Sequence, residues 1–473
     1  MCVLLIIIKR GFCSSKIYII LYIIGAFAAL CNMATKHQCL AAITILAATA
    51  YLIQICIVSA PSATVRTNAH ITSTGDRPTI YRYNATVNLD LDAPAKRTYF
   101  GLEKGLMEGL QLRGRFVDDP SKAQFFWVPN ALVSHWITHY DFCVNETKCL
   151  AEYYLNNFRP FLKHIRDDLP YFNASGGRNH IFVYSMDLGP FCEMGHSSNI
   201  FTEDPLWKSM VHPMISVGYW GQMDLEMPEK LKSNTRSECW ESQRDIAVPQ
   251  WHDWDMSNAA EEDIVDKCRR HGKCKPWLDY LQNRGNRVRS PFFFKGQNVS
   301  GHACSAGIRP WIFQYCQKHT EHCLLAETAS MTDGIYALCP AGFACWSSRM
   351  YDALHKGVIP VKMADNMVLP FSRWLNFSIF MENIETGKPA SLALDGGPQI
   401  GKLIASATSW LEACGDFLEH TSACLQHGIS QKMGTIITTR KWFGWSNPLS
   451  ESNAFTMFEK ELLFQAKQMN KIQ

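Results

Sequence analysis

The residues with the clearest chemical potential lie in the segment IYALCPAGFACWSSRMYDALHKGVIPV, residues 335–361. Its pattern predicts a buried strand, a turn from Pro340 to Gly342, a helix capped by Ser347 or Ser348 and ended by a glycine, and a second strand. Such a unit brings a helix amino terminus to the carboxyl edge of a parallel sheet. Phosphate groups bind at that position in open α/β folds.

Two charged residues on the predicted helix could complete such a site. Arg349 could direct two parallel N–H donors to a diphosphate. Asp352 lies three residues later on the same helix face and could accept hydrogen bonds from ribose hydroxyls. The alternative interpretation is that Arg349 and Asp352 form a surface ion pair and that the preceding glycine only makes a turn.

Other patterns that could hold a metal ion are weaker. Asp-x-Asp sequences occur at residues 90–92 and 253–255, and both are interpreted as ordinary loop acids. His135 and His139 are spaced for one helix face, but the aromatic residues around them favour a core face or a cleft wall. We therefore assign no metal ligands from these patterns and expect no required cofactor, and the sequence leaves metal dependence open.

Length and charge restrict the class of protein. The chain has 473 residues, which favours two domains with appendages, and its formal net charge is +3. That charge is small for the length, and no dense run of Lys and Arg occurs, so a nucleic-acid partner is not expected.

Cysteines and glycosylation sequons indicate an oxidising compartment. The 18 cysteines do not form the repeated CxxC pattern of a structural zinc site. Several cysteines after residue 60 form close pairs: 143/149, 268/274, 316/323, 339/345 and 414/424. Five N-x-S/T sequons are spread along the chain, at Asn84, Asn145, Asn173, Asn298 and Asn376. Together they favour disulfides and a lumenal or extracellular body, with Asn376 the least expected to be occupied.

The amino-terminal region predicts a membrane anchor. Residues 40–60 are 21 uncharged residues, long enough to cross a bilayer, and basic residues flank them on the amino-terminal side. We interpret residues 1–39 as a cytosolic leader, with Met33 as an alternative start, and residues 61–95 as a stem. The competing interpretation is a cleaved signal peptide ending near Ala60.

The lumenal body alternates strands with helices, which predicts parallel sheets covered on both faces. Two such α/β series cover residues 96–285 and 286–395, and residues 396–473 look mainly helical. The predicted strands are residues 124–129, 180–185, 245–249, 292–295, 335–339, 358–363 and 377–381. The fold class is therefore α/β, with two Rossmann-like domains and a helical carboxyl-terminal tail.

Residues 98–385 resemble the exostosin family of glycosyltransferases. The donor-site signature of that family is P-x-G, then S-x-R-x-x-E-A, then G-C-I-P-V, an Asp and L-P-F. The matching residues here are Pro340 to Gly342, Ser347 to Ala353, Gly357 to Val361, Asp365 and Leu369 to Phe371. Upstream similarities are Phe293 to Gly296 followed by Arg309, Asp119 to Pro129, Gly176 to Gly189 and Asp245 to Pro249. Asp352 stands where the family usually has Glu, and Val358 replaces its Cys.

The resemblance implies a GT-B-like fold with two facing Rossmann-like domains, a UDP-linked sugar donor and inversion at the anomeric carbon. Arg309 and Arg349 are then expected to offset charge on the leaving diphosphate. Our hypothesis for the base that deprotonates the acceptor hydroxyl is Asp187, which follows the strand HIFVYS; the alternative is a turn aspartate. The family's preceding His is replaced here by Met186.

We therefore expect a single-pass type II Golgi membrane enzyme that transfers a sugar to a glycan acceptor, alone or as a homo- or hetero-oligomer with related transferases. The alternative is a catalytically weak scaffold that binds glycan or pairs with an active relative. A third possibility is a secreted carbohydrate-binding protein. The chain ends soon after the matching region, so we expect no second transferase domain of the kind found in bifunctional heparan polymerases.

Overall fold

A computed structural model describes the parts of the chain that carry the α/β body. Residues 71–473 form one compact unit. The described residues are 77–84, 101–139, 151–185, 204–219, 232–252, 290–296, 308–327, 329–341, 346–364, 367–383 and 430–472. The predicted anchor at residues 40–60 lies outside these residues. Among the described helices, none is long and apolar enough to cross a membrane.

The first sheet has five parallel strands in the order of the sequence. They are β1 (Ile80–Arg82), β2 (Phe125–Trp127), β3 (His180–Val183), β4 (Ile215–Gly218) and β5 (Ile246–Ala247). Every residue of β2 to β5 is buried. Helices on the faces of a parallel sheet exclude water from both sides, which explains why these strands are continuous apolar runs such as FFW and HIFV.

The first strand belongs to a segment that the sequence pattern placed in the stem. Ile80, Tyr81 and Arg82 pair in parallel with β2, and Ile80 is fully buried. Three residues are too few to show the alternating pattern of a strand, and the neighbouring residues are mostly polar. The sequence pattern therefore did not indicate this strand. The helices that follow in this half are α1 (Leu102–Leu112), α2 (Leu132–His139), α3 (Arg159–Asp168), α4 (Pro170–Ser175) and α5 (Pro205–Met210), with a π-helical turn at Tyr154–Phe158 before α3.

The second sheet is also parallel but has a crossed strand order. Its strands are β6 (Ser290–Phe294), β7 (Cys323–Leu325), β8 (Gly334–Pro340), β9 (Ile359–Met363) and β10 (Glu382–Asn383), ordered β10-β9-β8-β6-β7. Helix α6 (Ile308–Lys318) connects β6 to β7, and helix α7 (Arg349–His355) connects β8 to β9. From β6 the chain therefore proceeds to one side, and from β8 to the other.

Two predictions about this half are wrong. Residues 377–381 do not form a strand, because Phe377–Ile379 is a 3₁₀ helix whose Asn376 side chain accepts the N–H of Ser378, and the edge strand is β10. The pair 339/345 does not form a disulfide, since Cys339 is a free, buried thiol in β8. The pair Cys316–Cys323 is confirmed as a disulfide. The other three close pairs lie outside the described residues.

The predicted helical tail contacts both halves of the body. It contains α8 (Ser430–Thr439) and α9 (Ala454–Ile472). Two glycines four residues apart on α1 allow aromatic rings to approach. A Cβ on Gly109 would lie 2.0 Å from Phe455 of α9, and a Cβ on Gly105 would lie 2.2 Å from Trp251. The absence of side chains at these two positions therefore makes both ring contacts possible.

Buried charges hold α9 against the first half. Glu459 accepts hydrogen bonds from Nε of Arg113 and Nε of Arg115, both at 2.6 Å, and all three side chains are almost fully buried. Arg113 also donates to the carbonyl of Ser450 and to the hydroxyl of Thr456. One carboxylate thus compensates two guanidinium groups that water cannot reach.

A buried carboxylate supports the loop after β2. Glu103 of α1 accepts hydrogen bonds from the backbone N–H groups of Asn130 (2.8 Å) and Ala131 (3.1 Å). Ala131 has φ 49°, a left-handed conformation that is costly for a residue with a Cβ. Asn130 also donates to the carbonyl of Val183 at the end of β3. Burial raises the pKa of Glu103 to about 7, although these N–H bonds lower it.

Replacement of Glu459 by Gln should destabilise the protein strongly. The variant leaves two buried guanidinium groups without a counter-charge, which costs about 3 kcal/mol in free energy of unfolding. Urea denaturation of variant and wild type measures the difference. The control is Glu451→Gln, because Glu451 meets Arg77 at 4.0 Å and its side chain is 68% exposed. Equal small effects of both substitutions would contradict this role.

Replacement of Glu103 by Gln should change how stability depends on pH. The folded state holds a proton on Glu103 up to about pH 7, whereas the ordinary pKa is 4.5, so wild-type stability falls as pH rises through this range. The variant has no carboxyl group at this position, so its stability should not fall for this reason. Its free energy of unfolding relative to wild type should rise by about 3 kcal/mol between those pH values. Glu108→Gln on an exposed position of α1 is the control, and a pH-independent difference for Glu103→Gln would contradict the assignment.

Candidate functional site

The crossed strand order creates a switch point at the carboxyl edge of the second sheet, and the space between the two departing chain segments is called the crevice below. Strands β6 and β8 are neighbours in parallel register, with Phe294 opposite Leu338. The chain leaves their carboxyl ends in opposite directions, towards α6 and α7. Open α/β sheets bind ligands outside the carboxyl ends of the strands at such a switch point. This edge is therefore where the predicted site residues should meet.

Arg349 reaches across this crevice from α7. Its Nε donates to the carbonyl of Lys295, directly after β6, at 3.2 Å, and its Nη1 donates to the hydroxyl of Ser348 at 3.0 Å. The second contact within its own helix is Asp352, whose Oδ2 lies 3.5 Å from Nη1. The guanidinium is thus fixed by backbone and hydroxyl oxygens, and its side chain is 27% exposed.

Arg309 makes the complementary contact from the other side. It lies in the first turn of α6, and its Nε donates to the carbonyl of Ala341, directly after β8, at 3.0 Å. Burial lowers the pKa of Arg309, and the positive charge of Arg349 lowers it further. Each arginine is therefore anchored to the end of the strand opposite its own helix, and the two charges repel each other within the crevice.

The start of α7 differs from the sequence prediction. Ser348 occupies the cap position but makes no side-chain capping bond, because its backbone is helical and its hydroxyl accepts from Arg349. Ser347 is buried, and its hydroxyl has no hydrogen-bond partner among the described residues. The predicted end of the helix is confirmed. Gly357 adopts φ 64°, where a Cβ would be strained.

The position of Asp352 agrees with both interpretations given above, an ion-pair partner of Arg349 and an acceptor for a bound ligand. Its pair with Arg349 does form, but the two side chains are only 17% and 27% exposed, so the pair is not a typical surface pair. Burial raises the pKa of Asp352, while Arg349 and Lys295 lower it. The carboxylate lies at the same edge as the two guanidinium groups and can accept hydrogen bonds from a ligand there.

The carboxyl edge of the first sheet contacts the same region. The ring of Tyr219, which follows β4, lies 5.6 Å from the ring of Trp346 before α7. The ring of His252, which follows the fifth strand, lies 6.2 Å from the ring of Tyr351 within α7. Both distances join ring centroids. The amino-terminal part of α7 is therefore placed between the carboxyl edges of the two sheets.

The structure brings together six of the predicted donor-site residues. Pro340 ends β8, pairs with Met363 and is buried, and it stands beside the anchor of Arg309. The others are Arg309, Ser347, Ser348, Arg349 and Asp352, so that only Gly342 of the predicted donor-site residues lies outside the described part. Asp187, Asn145 and Asn298 also lie outside it. Asn84, Asn173 and Asn376 are exposed, including the sequon least expected to be so.

Sequence reasoning missed several groups at this edge. The carbonyl groups of Lys295 and Ala341 anchor the arginines, and no side-chain pattern signals a carbonyl that accepts from a distant residue. Tyr219 and Trp346 were also missed as contacts between the halves. The position of Tyr219 directly after a buried strand could have indicated an edge residue.

Two known proteins match this chain over part of their length and at low sequence identity. The chain is 23% identical over 334 residues to a probable glucuronoxylan glucuronosyltransferase of Arabidopsis thaliana, covering 67% of this chain and 63% of that protein. It is 24% identical over 304 residues to a probable glucuronosyltransferase of Oryza sativa subsp. japonica, covering 61% of each. The chain thus spans about three fifths of the length of these curated relatives.

A shorter match has higher identity. A probable beta-1,4-xylosyltransferase of Arabidopsis thaliana is 42% identical over 103 residues, or 20% of this chain and 25% of that protein. A solved glycosyltransferase from Rickettsia africae aligns with 84% of this chain and 100% of its own, at 10% identity and a TM-score of 0.31. At that TM-score the structural likeness adds no argument.

The family is established by a longer match. The Exostosin GT47 domain matches residues 77–392, a range that contains both parallel sheets, the switch point and the two arginines. The match extends over more than half of the chain and agrees with the resemblance found in the motifs. The chain therefore belongs to the Exostosin GT47 domain family.

Proposed function

We propose that this protein is an inverting glycosyltransferase that transfers a sugar from a UDP-linked donor to a glycan acceptor. The observation that supports it most directly is the pair of arginines at the switch point, each held by a backbone carbonyl beyond the neighbouring strand. Family membership supports the same activity.

The electrostatics of the pair fit a diphosphate. Arg309 and Arg349 are close enough to lower the pKa of Arg309, and Lys295 acts on the same carboxylate as Arg349. Among the described residues, Asp352 is the carboxylate that contacts Arg349. A positive surplus in a partly buried crevice attracts a multiply charged anion, and a diphosphate between the guanidinium groups would replace their repulsion by charge-assisted hydrogen bonds. The buried hydroxyl of Ser347 could add a donor.

The same groups would assist the chemistry. The acceptor hydroxyl attacks the anomeric carbon in line with the departing UDP, the bond from that carbon to the diphosphate breaks, and the configuration inverts. Charge develops on the leaving oxygen during this step, where the fixed guanidinium groups stabilise it. Asp187 removes the acceptor proton in our proposal. It follows Ser185, a buried residue after β3, by two positions in the sequence.

The names of the relatives suggest which donors to test first. Two are called glucuronosyltransferases and one a xylosyltransferase. We propose UDP-glucuronic acid or UDP-xylose as the donor. A glucuronosyl donor carries an additional carboxylate, which would gain from the positive surplus at this edge.

The cellular setting that we propose is the Golgi lumen, with the enzyme anchored in the membrane as a type II protein. A disulfide between Cys316 and Cys323 fits an oxidising compartment. Three exposed sequons, at Asn84, Asn173 and Asn376, fit a glycosylated body. Related transferases are the proposed oligomer partners.

A panel of UDP-sugars tests the activity directly. The purified full chain is incubated with each donor and a mixture of xylan- and glucan-type oligosaccharides, and UDP release is measured with acceptor and without it. Acceptor-dependent release from one donor supports a transferase. Binding of UDP without release from any donor would instead support the scaffold function, and absence of both would contradict the donor site.

Replacement of Arg349 by Ala should remove most of the affinity for UDP. The variant loses the charge-assisted hydrogen bonds to the diphosphate, worth about 3 kcal/mol, a factor of about 150 in Kd. Isothermal titration with UDP measures this effect. The control is Arg166→Ala, since Arg166 pairs with the neighbouring Asp167 at the solvent-facing side of α3. Unchanged affinity in Arg349→Ala would contradict the proposed site.

Replacement of Asp187 by Asn should separate binding from transfer. The variant loses the base but keeps both arginines, so UDP affinity should stay within about twofold of wild type while turnover falls by about 10²-fold or more. Initial rates and UDP titration on the same preparation measure the two quantities. A variant with normal turnover would remove Asp187 from this role.

A further inference from the structure

We propose that the turn between α6 and β7 binds a divalent transition-metal ion through His319, Glu321 and His322. This inference does not rest on the proposed function. The three residues are close in sequence, in the segment H-T-E-H, and all lie within the described part of the chain. They belong to neither the crevice nor the contacts between the sheets.

The positions of the ligand atoms fit a small tetrahedral ion. The Oε1 atom of Glu321 lies 3.5 Å from Nδ1 of His319 and 3.8 Å from Nδ1 of His322. One ligand atom from each residue lies within 4.8 Å of the others. Zinc bonds to imidazole nitrogen and carboxylate oxygen of about 2.0–2.2 Å imply ligand separations of about 3.3–3.6 Å in a tetrahedron. Small side-chain rotations therefore suffice to close the site.

The backbone of this turn is already fixed. The disulfide between Cys316 and Cys323 closes the segment on both sides of the three ligands. The carbonyl of His319 accepts the N–H groups of His322 and Cys323, both at 3.0 Å. The ring of His319 also packs on Tyr315, with centroids 4.7 Å apart. Binding would therefore order few additional groups, which lowers its entropic cost.

The ligand set selects the class of metal. Two imidazoles and one carboxylate suit zinc and neighbouring first-row ions, whereas magnesium and calcium prefer oxygen ligands throughout. The side chains are 39%, 61% and 41% exposed for His319, Glu321 and His322. Solvent can therefore supply the fourth ligand, and the carboxylate remains solvated without a metal.

The location indicates a structural role. His319 directly follows α6, and Arg309 lies in the first turn of the same helix. A helix of 11 residues is about 16 Å long, so the metal would bind at the end opposite the crevice. The ion would cross-link the end of α6 to the start of β7, beside the disulfide, without contacting a donor.

Zinc titration of the full chain tests the proposal. Isothermal titration of metal-free protein should show one zinc equivalent that the double variant His319→Ala/His322→Ala loses, or binds at least about tenfold more weakly. The control is His164→Ala, because His164 is a partly exposed histidine that pairs with the carboxylate of Asp168. It should retain the wild-type stoichiometry. Equal stoichiometry and affinity in wild type and double variant would overturn the proposal.

A second variant covers the case in which the double variant does not fold. Glu321→Gln changes one exposed side chain and should weaken zinc binding about tenfold while metal-free thermal unfolding stays unchanged. Cobalt(II) should give a visible absorption band of tetrahedral intensity in wild type that this variant reduces. Zinc affinity and cobalt spectra equal to those of wild type would overturn the assignment, as would tighter binding of magnesium than of zinc.

Discussion

The anchoring of Arg309 and Arg349 to backbone carbonyl groups in the second sheet is the interaction on which the candidate site depends. Burial lowers the pKa of Arg309, and the positive charge of Arg349 lowers it further, so the two guanidinium groups repel each other. Here the carbonyl groups of Ala341 and Lys295 hold them, each at the end of a strand in the second sheet. Because β6 and β8 are adjacent, their ends cannot move apart without breaking the sheet. The stability of the sheet thus keeps the two charged groups in fixed positions.

Helix α7 must be fixed at both ends for this pair to keep its geometry. Arg349 lies at its start, and at its end Nη1 of Arg440, in the 3₁₀ turn after α8, donates to the carbonyl of His355 at 3.0 Å. Lys432 of α8 donates to the carbonyl of Ser378. The carboxyl-terminal helices therefore reach the second sheet as well as the buried arginines of the first half. The tail thus connects the two halves through contacts with the ends of α1 and α7.

Much of the fold was readable from the sequence because buried parallel strands are short apolar runs. The segments HIFV, FFF and IYALC were assigned correctly for that reason. Strands β1 and β7 were missed, since three residues carry no period, and the run FSIFM was too apolar to be recognised as a 3₁₀ turn. The close approach of α9 to Gly109 could not be predicted, because a glycine in a helix does not indicate which residue packs against it.

The sequence predicted the residues of the candidate site but not the groups that these residues contact. Motif spacing placed Arg349 and Asp352 on one helix face, and the structure adds that their atoms are 3.5 Å apart. Members of this family usually have Glu at position 352, and its longer side chain could reach the guanidinium more fully. The shorter Asp352 leaves Arg349 with one weak carboxylate contact, so more of its positive charge is available to a bound anion. The departure from the family pattern at this position keeps a hydrogen-bond acceptor but shortens it by one methylene group, and it is one reason why the scaffold function is the alternative to catalysis.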